Sequence, residues 1–581
     1  MSETHTCQNC HEEFAIEPED FSFYERIQVP PPTWCPLCRF QRRLAYRNER
    51  KIFWNTSVKS GKRILALYSK GSKVTLYDED EWREDDWDAL QYGRDIDEHK
   101  TFFEQIYELA QAVPRVPRST ESNVRSDFTA NIGWSKDCYL VFNCSGAENC
   151  AYGNQVDFSR DCFESSHVKK CERCYESFWH TSCHQTHFSS QCEDCTGVWF
   201  SRNCRGCINC FGCVNLRNQS YCFFNEKLSK KEYQKRIDRL RLDKWTSVSE
   251  MKNRVKKFWL GSPVRYMTGT NNANVLGEYI SNSKNVYRGY LIRGGEDLRH
   301  CQDLNEPSTK DSMDVSIWGK NTDLCYETSI CGGDISRLKF CVECWPENSD
   351  LEYCMFMKNS SNCFGCVGLR NKQYCILNKQ YPKEEYEALV QKIRKHMDED
   401  PYVNTEGIIY RYGEFFPIEH APFGYNSSLV FDHFPLTKEE ALAKGYAWDD
   451  PESKEYETSM NASELPDSIR DVQDDILSKI ISCERCKRAY RIIRPELDFL
   501  RAEGIPLPRT CVDCRHAARI SQRNKVQLYA RQCMCDYKIY KNSGEHTHHP
   551  EGRCSNEFET SYAPDRPEIV YCEQCYNSEV A

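Results

Sequence analysis

No run of about 18 apolar residues occurs in this chain, so no segment reads as a membrane-spanning helix. The opening MSETHTCQNC lacks the basic-then-apolar order of a secretory leader. There is no Gly-rich Walker loop, no HExxH and no G-x-S-x-G, so no catalytic constellation is recognisable. Net positive charge is missing too. A formal charge of −10 excludes a whole-protein nucleic-acid coat while leaving local basic patches open. These absences describe a cytoplasmic, non-enzymatic chain without a membrane partner or an identifiable small-molecule substrate.

What is present is cysteine, 36 of them in 581 residues. Outside a secretory context they point to reduced thiols and metal sites rather than disulfides. Cys7-x-x-Cys10 and Cys35-x-x-Cys38 are separated by 24 residues, and Cys483-x-x-Cys486 and Cys511-x-x-Cys514 repeat that spacing. Two such pairs present four thiolates, which can close a tetrahedral structural Zn2+ site. The second pair of each set runs into a stretch without Gly or Pro, read as a helix starting on the metal.

Cys483, Cys486, Tyr490, Glu496, Phe499, Gly504, Pro506, Pro508 and Cys511-x-x-Cys514-Arg515 resemble the small probable zinc-ribbon (treble-clef) domain of bacteria. The resemblance covers about 40 residues at each end and implies structural zinc without an activity. The order of zinc module, cysteine ladder, Asn-Cys-Phe-Gly-Cys block and second zinc module is similar to an uncharacterised Cys-rich protein family of candidate-phylum bacteria.

A ribbon-like unit follows each treble clef. Cys572 and Cys575 form one knuckle of the C-terminal copy, with Cys554 and Cys535 as the other, Cys533 being the alternative to Cys535. His546, His548 and His549 read as an exposed loop, although any of them can replace a Cys as ligand. In the N-terminal copy, aligning Tyr77 with Tyr571 puts Asp78 on Cys572 and Glu81 on Cys575, and residues 39–137 hold no Cys. That copy is expected to have kept its fold and lost its metal, leaving about three zincs.

Between the termini lies a cysteine ladder. Cys150, Cys171, Cys192 and Cys213 are 21 residues apart, as are Cys162, Cys183 and Cys204. A fixed period of this kind indicates a solenoid. Short strand-like pieces suggest two strands per 21-residue coil of a parallel β-helix, with Cys stacked inside. On that reading Cys171 and Cys174 lie one coil below Cys192 and Cys195, near His180, His184 and His187, so the ladder holds stacked thiols, zinc or a redox centre. Asn209-Cys-Phe-Gly-Cys213 returns as Asn362-Cys-Phe-Gly-Cys366, implying that the solenoid is duplicated. The second copy has nine Cys, which favours plain stacked thiols.

The expected fold is multidomain and mainly β, with treble-clef and zinc-ribbon modules flanking a duplicated parallel β-solenoid with capping helices. Its parts are a zinc module with a degenerate ribbon (1–84), a helical connector (85–126), two solenoid repeats (127–260 and 261–400), an irregular linker (401–478) and a terminal zinc module (479–581). Within these, 99–112 reads as an amphipathic connector helix, and Ser229 and Pro382 open capping helices.

Arg39, Arg42, Arg43 and Arg47, with Arg515, Arg519 and Arg523, form two basic stretches beside zinc knuckles. Such helices can hold phosphate backbones, so nucleic acid, RNA first, is one expected partner. The alternatives are a solvated or ion-paired face, a protein-interaction scaffold built on the solenoid, and thiol or metal storage.

Overall fold

The computed structural model describes residues 2–450, 456–540, 542, 544–549 and 551–580. Its centre is a β-solenoid whose coil is 12 residues long, not 21. Val124, Lys136, Glu148, Arg160, Glu172, His184 and Thr196 pair in parallel, one above the next. Within a coil the backbone repeats every three residues. Asn131, Trp134, Asp137, Leu140 and Asn143 all have φ near +50°, and this continues through the stack. Twelve residues at three per side make four sides, each turned by one left-handed residue.

The triplet explains the cysteines. Every Cys from Cys138 to Cys222 falls on a multiple of three, and every one is buried in the lumen. A step of 21 is a whole number of triplets but not of coils. It climbs two coils and falls back one side, so the expected columns wind around the lumen. The vertical neighbours are Cys171, Cys183, Cys195 and Cys207, and Cys192 lies above His180 on another side.

A thiol at these positions serves the backbone. Cys150 Sγ lies 3.3 Å from the carbonyl of Glu148 and 3.6 Å from that of Ser159 in the next coil. Ser177 Oγ makes the same pair of bonds, at 3.3 and 2.9 Å, to Tyr175 and Thr186. The inward residue's own N–H is also met from inside: Cys171 N and Cys213 N donate to Ser159 Oγ and Ser201 Oγ at 3.0 Å. A small side chain that donates and accepts satisfies groups that a narrow lumen would otherwise orphan. Cys and Ser are therefore interchangeable there.

In the second stack the coil varies. Ala273 pairs with Lys284, Leu298 with Ser312, Met313 with Tyr326 and Leu351 with Cys363. The strands lengthen, as in Lys284–Arg293 and Thr309–Trp318. Gly277 marks one adjustment, since a Cβ there would sit 1.9 Å from the Gly289 carbonyl.

Both stacks end alike. Asn225 Oδ1 accepts from Val214 N at 2.9 Å, and its amide donates to the Val214 carbonyl at 2.9 Å. Asn378 treats Val367 the same way, at 2.8 Å each. One side chain thus substitutes for the missing next coil. Helices Lys230–Asp238 and Lys383–Glu399 then cover the ends, with Tyr233 against Tyr221 and Tyr386 against Tyr374. This protects edges that would otherwise be open to strand addition.

The connector helix runs Phe102–Ala112, three residues shorter at its start than expected, because Thr101 and Glu104 form a capping box there. The parallel pairing of the first stack begins at Thr120, inside the segment expected to be connector. Residues 401–450 are irregular yet not a loose tether: Tyr410, Phe415 and Phe416 are buried against the core.

Candidate metal centres

Each end of the chain carries a four-cysteine unit built the same way. In the first, the turn between strands Glu3–Thr6 and Glu13–Ile16 holds Cys7 and Cys10, and Cys35 precedes helix Pro36–Leu44. In the second, strands Ile481–Ser482 and Ala489–Tyr490 flank Cys483 and Cys486, and Cys511 precedes helix Val512–Ile520. His11 and Lys487, with φ of 63° and 62°, close the equivalent turns. Cys35 N donates to Cys7 Sγ at 3.2 Å, and Cys511 N to Cys483 Sγ at 3.2 Å.

The sulfurs are spaced for one ion. A tetrahedral ion with bonds of about 2.3 Å to sulfur needs S···S edges of about 3.8 Å. Cys10–Cys35 is 3.8 Å, Cys483–Cys514 3.9 Å and Cys486–Cys511 3.5 Å. Burial raises the Cys483 thiol, but the N–H groups of Cys486, Cys511 and Arg485 outweigh it and bring it down to about 6. Thiolate, the form a metal binds, is favoured at Cys483, whereas burial pushes its neighbour Cys511 up to about 11.

A third tetrad near the C-terminus is Cys533, Cys554, Cys572 and Cys575, all buried. Cys533, not Cys535, completes it. Cys533 directly follows strand Tyr529–Gln532, accepts from Cys572 N at 3.2 Å and lies 3.7 Å from Cys575 Sγ. The neighbouring histidines are not an exposed loop either, since His546 and His549 are buried.

In the N-terminal hairpin unit, strand Phe53–Thr56 leads into Ser57 where Tyr529–Gln532 leads into Cys533. Asp78 precedes helix Glu79–Arg83 as Cys572 precedes Glu573–Val580. Ser57 Oγ donates to the Glu81 carboxylate, which also accepts from Asp78 N at 3.0 Å. Hydroxyl and carboxylate thus bond directly where the C-terminal hairpin unit has sulfurs.

No group in the solenoid lumen joins these sets. Among the described residues, three or more ligand atoms lie mutually within 4.8 Å only in the terminal units. His180 is buried in the lumen, where burial pushes its imidazole down to about 4.

Six of the seven arginines expected to face phosphates are inside the protein, and Arg523 is half-buried. Arg39 reaches Asp314 at 2.7 Å, Arg42 reaches Glu327 at 3.0 Å and Glu414 at 2.7 Å, and Arg43 reaches Asp314 at 3.1 Å. Arg47 donates to Asn131 and Asn143. Arg515 lies 2.8 Å from Glu164 and 2.7 Å from Glu496, while Arg519 is also paired with Glu164. Arg523 faces His433 at 3.0 Å. The physical reason is packing: both helices lie flat on a solenoid face, so their basic sides point inward.

The packing is reciprocal. The N-terminal unit docks on the second stack, with Tyr24 5.5 Å from Tyr326, and the C-terminal unit docks on the first, with Phe499 stacked 4.5 Å from Phe163. Between the two units opens a cleft of about 960 Å3. Glu49, Asp432, Asp449, Asp450 and Asp513 line it along with Arg50, Lys51, Arg488, Arg523 and Lys525. Five acids against five bases do not make a phosphate groove.

The triplet spacing of Cys was visible in the sequence and carries the lumen. The acids Glu164, Asp314 and Glu327, which decide where the arginines go, had no local signal. No protein-family model matches this chain, and no curated protein matches it.

Proposed function

We propose that this is a non-enzymatic scaffold of the cytoplasm, in which structural Zn2+ locks treble-clef modules onto a duplicated β-solenoid. The spacing of the three sulfur tetrads supports zinc, because four thiolates at tetrahedral separations leave no open position for water or substrate. The near-identical Asn-capped ends of the two stacks support duplication. Among the described residues no helix is long and apolar enough to cross a membrane.

The observation that carries the scaffold reading is the burial of Arg39, Arg42, Arg43, Arg515 and Arg519 in ion pairs, which removes the basic helices from a nucleic-acid surface. What the solenoid offers outward is different. Trp134 and Phe158, two coils apart on one side, are 62% and 54% exposed, with Gly146 between them. Exposed aromatics set on a rigid face suit a protein partner. RNA is the competing partner, and it would have to be held by groups other than those arginines.

The test is a pull-down with the full chain at low salt, with and without nuclease. A protein that survives nuclease and is lost in W134S/F158S supports the scaffold. Nucleic acid released by raising salt, with no retained protein, overturns it.

A further inference from the structure

The C-terminal hairpin unit holds more ligand atoms than one ion uses. Beside the tetrad, Cys535, His546 and His549 gather around the sulfur of Cys575. We infer that this unit binds two zinc ions bridged by the Cys575 thiolate, the second held by Cys535, His546, His549 and Cys575. The inference rests on reading the tetrads as zinc sites.

The distances fit a second tetrahedron. Bonds of about 2.3 Å to sulfur and about 2.0–2.1 Å to nitrogen give edges of about 3.5 Å for S···N and about 3.3 Å for N···N. Cys535 Sγ to His546 Nδ1 is 3.3 Å, His549 Nε2 to Cys575 Sγ is 3.1 Å, and His546 Nδ1 to His549 Nε2 is 3.2 Å.

The surroundings are those of a metal ligand set. His546 Nε2 lies 2.8 Å from Glu579, and this carboxylate fixes the tautomer that turns the Nδ1 lone pair toward Cys535. Asn542 Nδ2 donates to Cys535 Sγ at 3.2 Å. The same amide-to-sulfur bond occurs at two tetrads, Asn9 to Cys38 at 3.2 Å and Asn556 to Cys572 at 3.4 Å. The loop is anchored as well, because Tyr537 Oη accepts from His546 N at 2.9 Å. The N-terminal hairpin unit, with a short turn between its strands, has no counterpart of this loop.

The test counts zinc by native mass spectrometry on the full-length chain, then on C535S and on H546A/H549A. Three tetrads and this site make four ions in the wild type, and each variant should lose one while keeping its thermal midpoint within a few degrees. Cobalt substitution checks the identity of the lost site: the wild-type-minus-variant absorption should be that of a mixed sulfur–nitrogen centre. A wild-type count of three that neither variant changes overturns the second ion and leaves the tetrads standing. A count below three overturns both readings. Should a variant unfold, E579Q keeps all ligands and is expected to weaken zinc retention against a chelator about 10-fold or more; unchanged retention counts against the site.

Discussion

Arg42 donates to Glu327 at 3.0 Å with both side chains fully buried, joining the helix that starts at Cys35 to a coil 285 residues away. Glu414, from the irregular segment, closes the other side of the same guanidinium at 2.7 Å. Replacing Arg42 by Met leaves two carboxylates underneath an apolar side chain. Breaking a buried pair from one side costs about 3–5 kcal/mol, so R42M should lower the denaturation midpoint sharply. R42M combined with E327L should recover part of the loss, as measured by chemical denaturation. A neutral R42M would contradict a buried Arg42–Glu327 pair.

Glu49 gives a pH signature. Burial pushes its carboxyl from 4.5 up to about 7, against the opposing pull of Arg47. The folded chain therefore holds this proton between about pH 4.5 and 7 while the unfolded chain releases it. Stability from this group is greatest below the unfolded value and falls as pH rises toward about 7, by about 3 kcal/mol at most. E49Q removes the ionisation, so its stability should fall less over that window and exceed wild type at pH 7. Parallel pH profiles for the two proteins would refute this.

Cys511 sits at the N-terminus of the helix that carries Arg515 and Arg519. C511S should cost one zinc per chain by metal analysis and loosen that helix from the first stack. Hydrogen exchange should then rise in Val512–Ile520 and around Glu164, and much less in the N-terminal unit. Equal loosening at both ends would argue against two independent metal anchors.

The two sets of paired CxxC motifs, the end-capping helices and the presence of a solenoid were legible because each is a local pattern. The coil length was not: Cys recurs at 21, since thiols occupy only some inward positions and Ser, Val and Thr fill most of the rest. The true repeat of three is a backbone property, carried by a left-handed residue that can be Asn, Trp, Leu or Glu. The fate of the arginines was hidden for another reason. The carboxylates that meet Arg39, Arg42 and Arg519 lie more than 250 residues away along the chain, and a basic helix looks the same whether it faces phosphate or a buried carboxylate.

The lumen yields the last prediction. Cys174 Sγ lies 3.6 Å from the Glu172 carbonyl and 3.8 Å from that of Cys183, in the pattern that Ser177 also makes. C174S keeps those acceptors within reach of a hydroxyl, so it should change stability by no more than about 1 kcal/mol, near the net worth of such a bond. C174L adds a branched chain to a packed lumen and should cost about 1–3 kcal/mol or more. Neither variant should alter the zinc count. A fall in metal content on C174S would move the metal into the ladder and revive storage as its role. An unchanged count with C174L well below C174S would show that these thiols are there for size and hydrogen bonding.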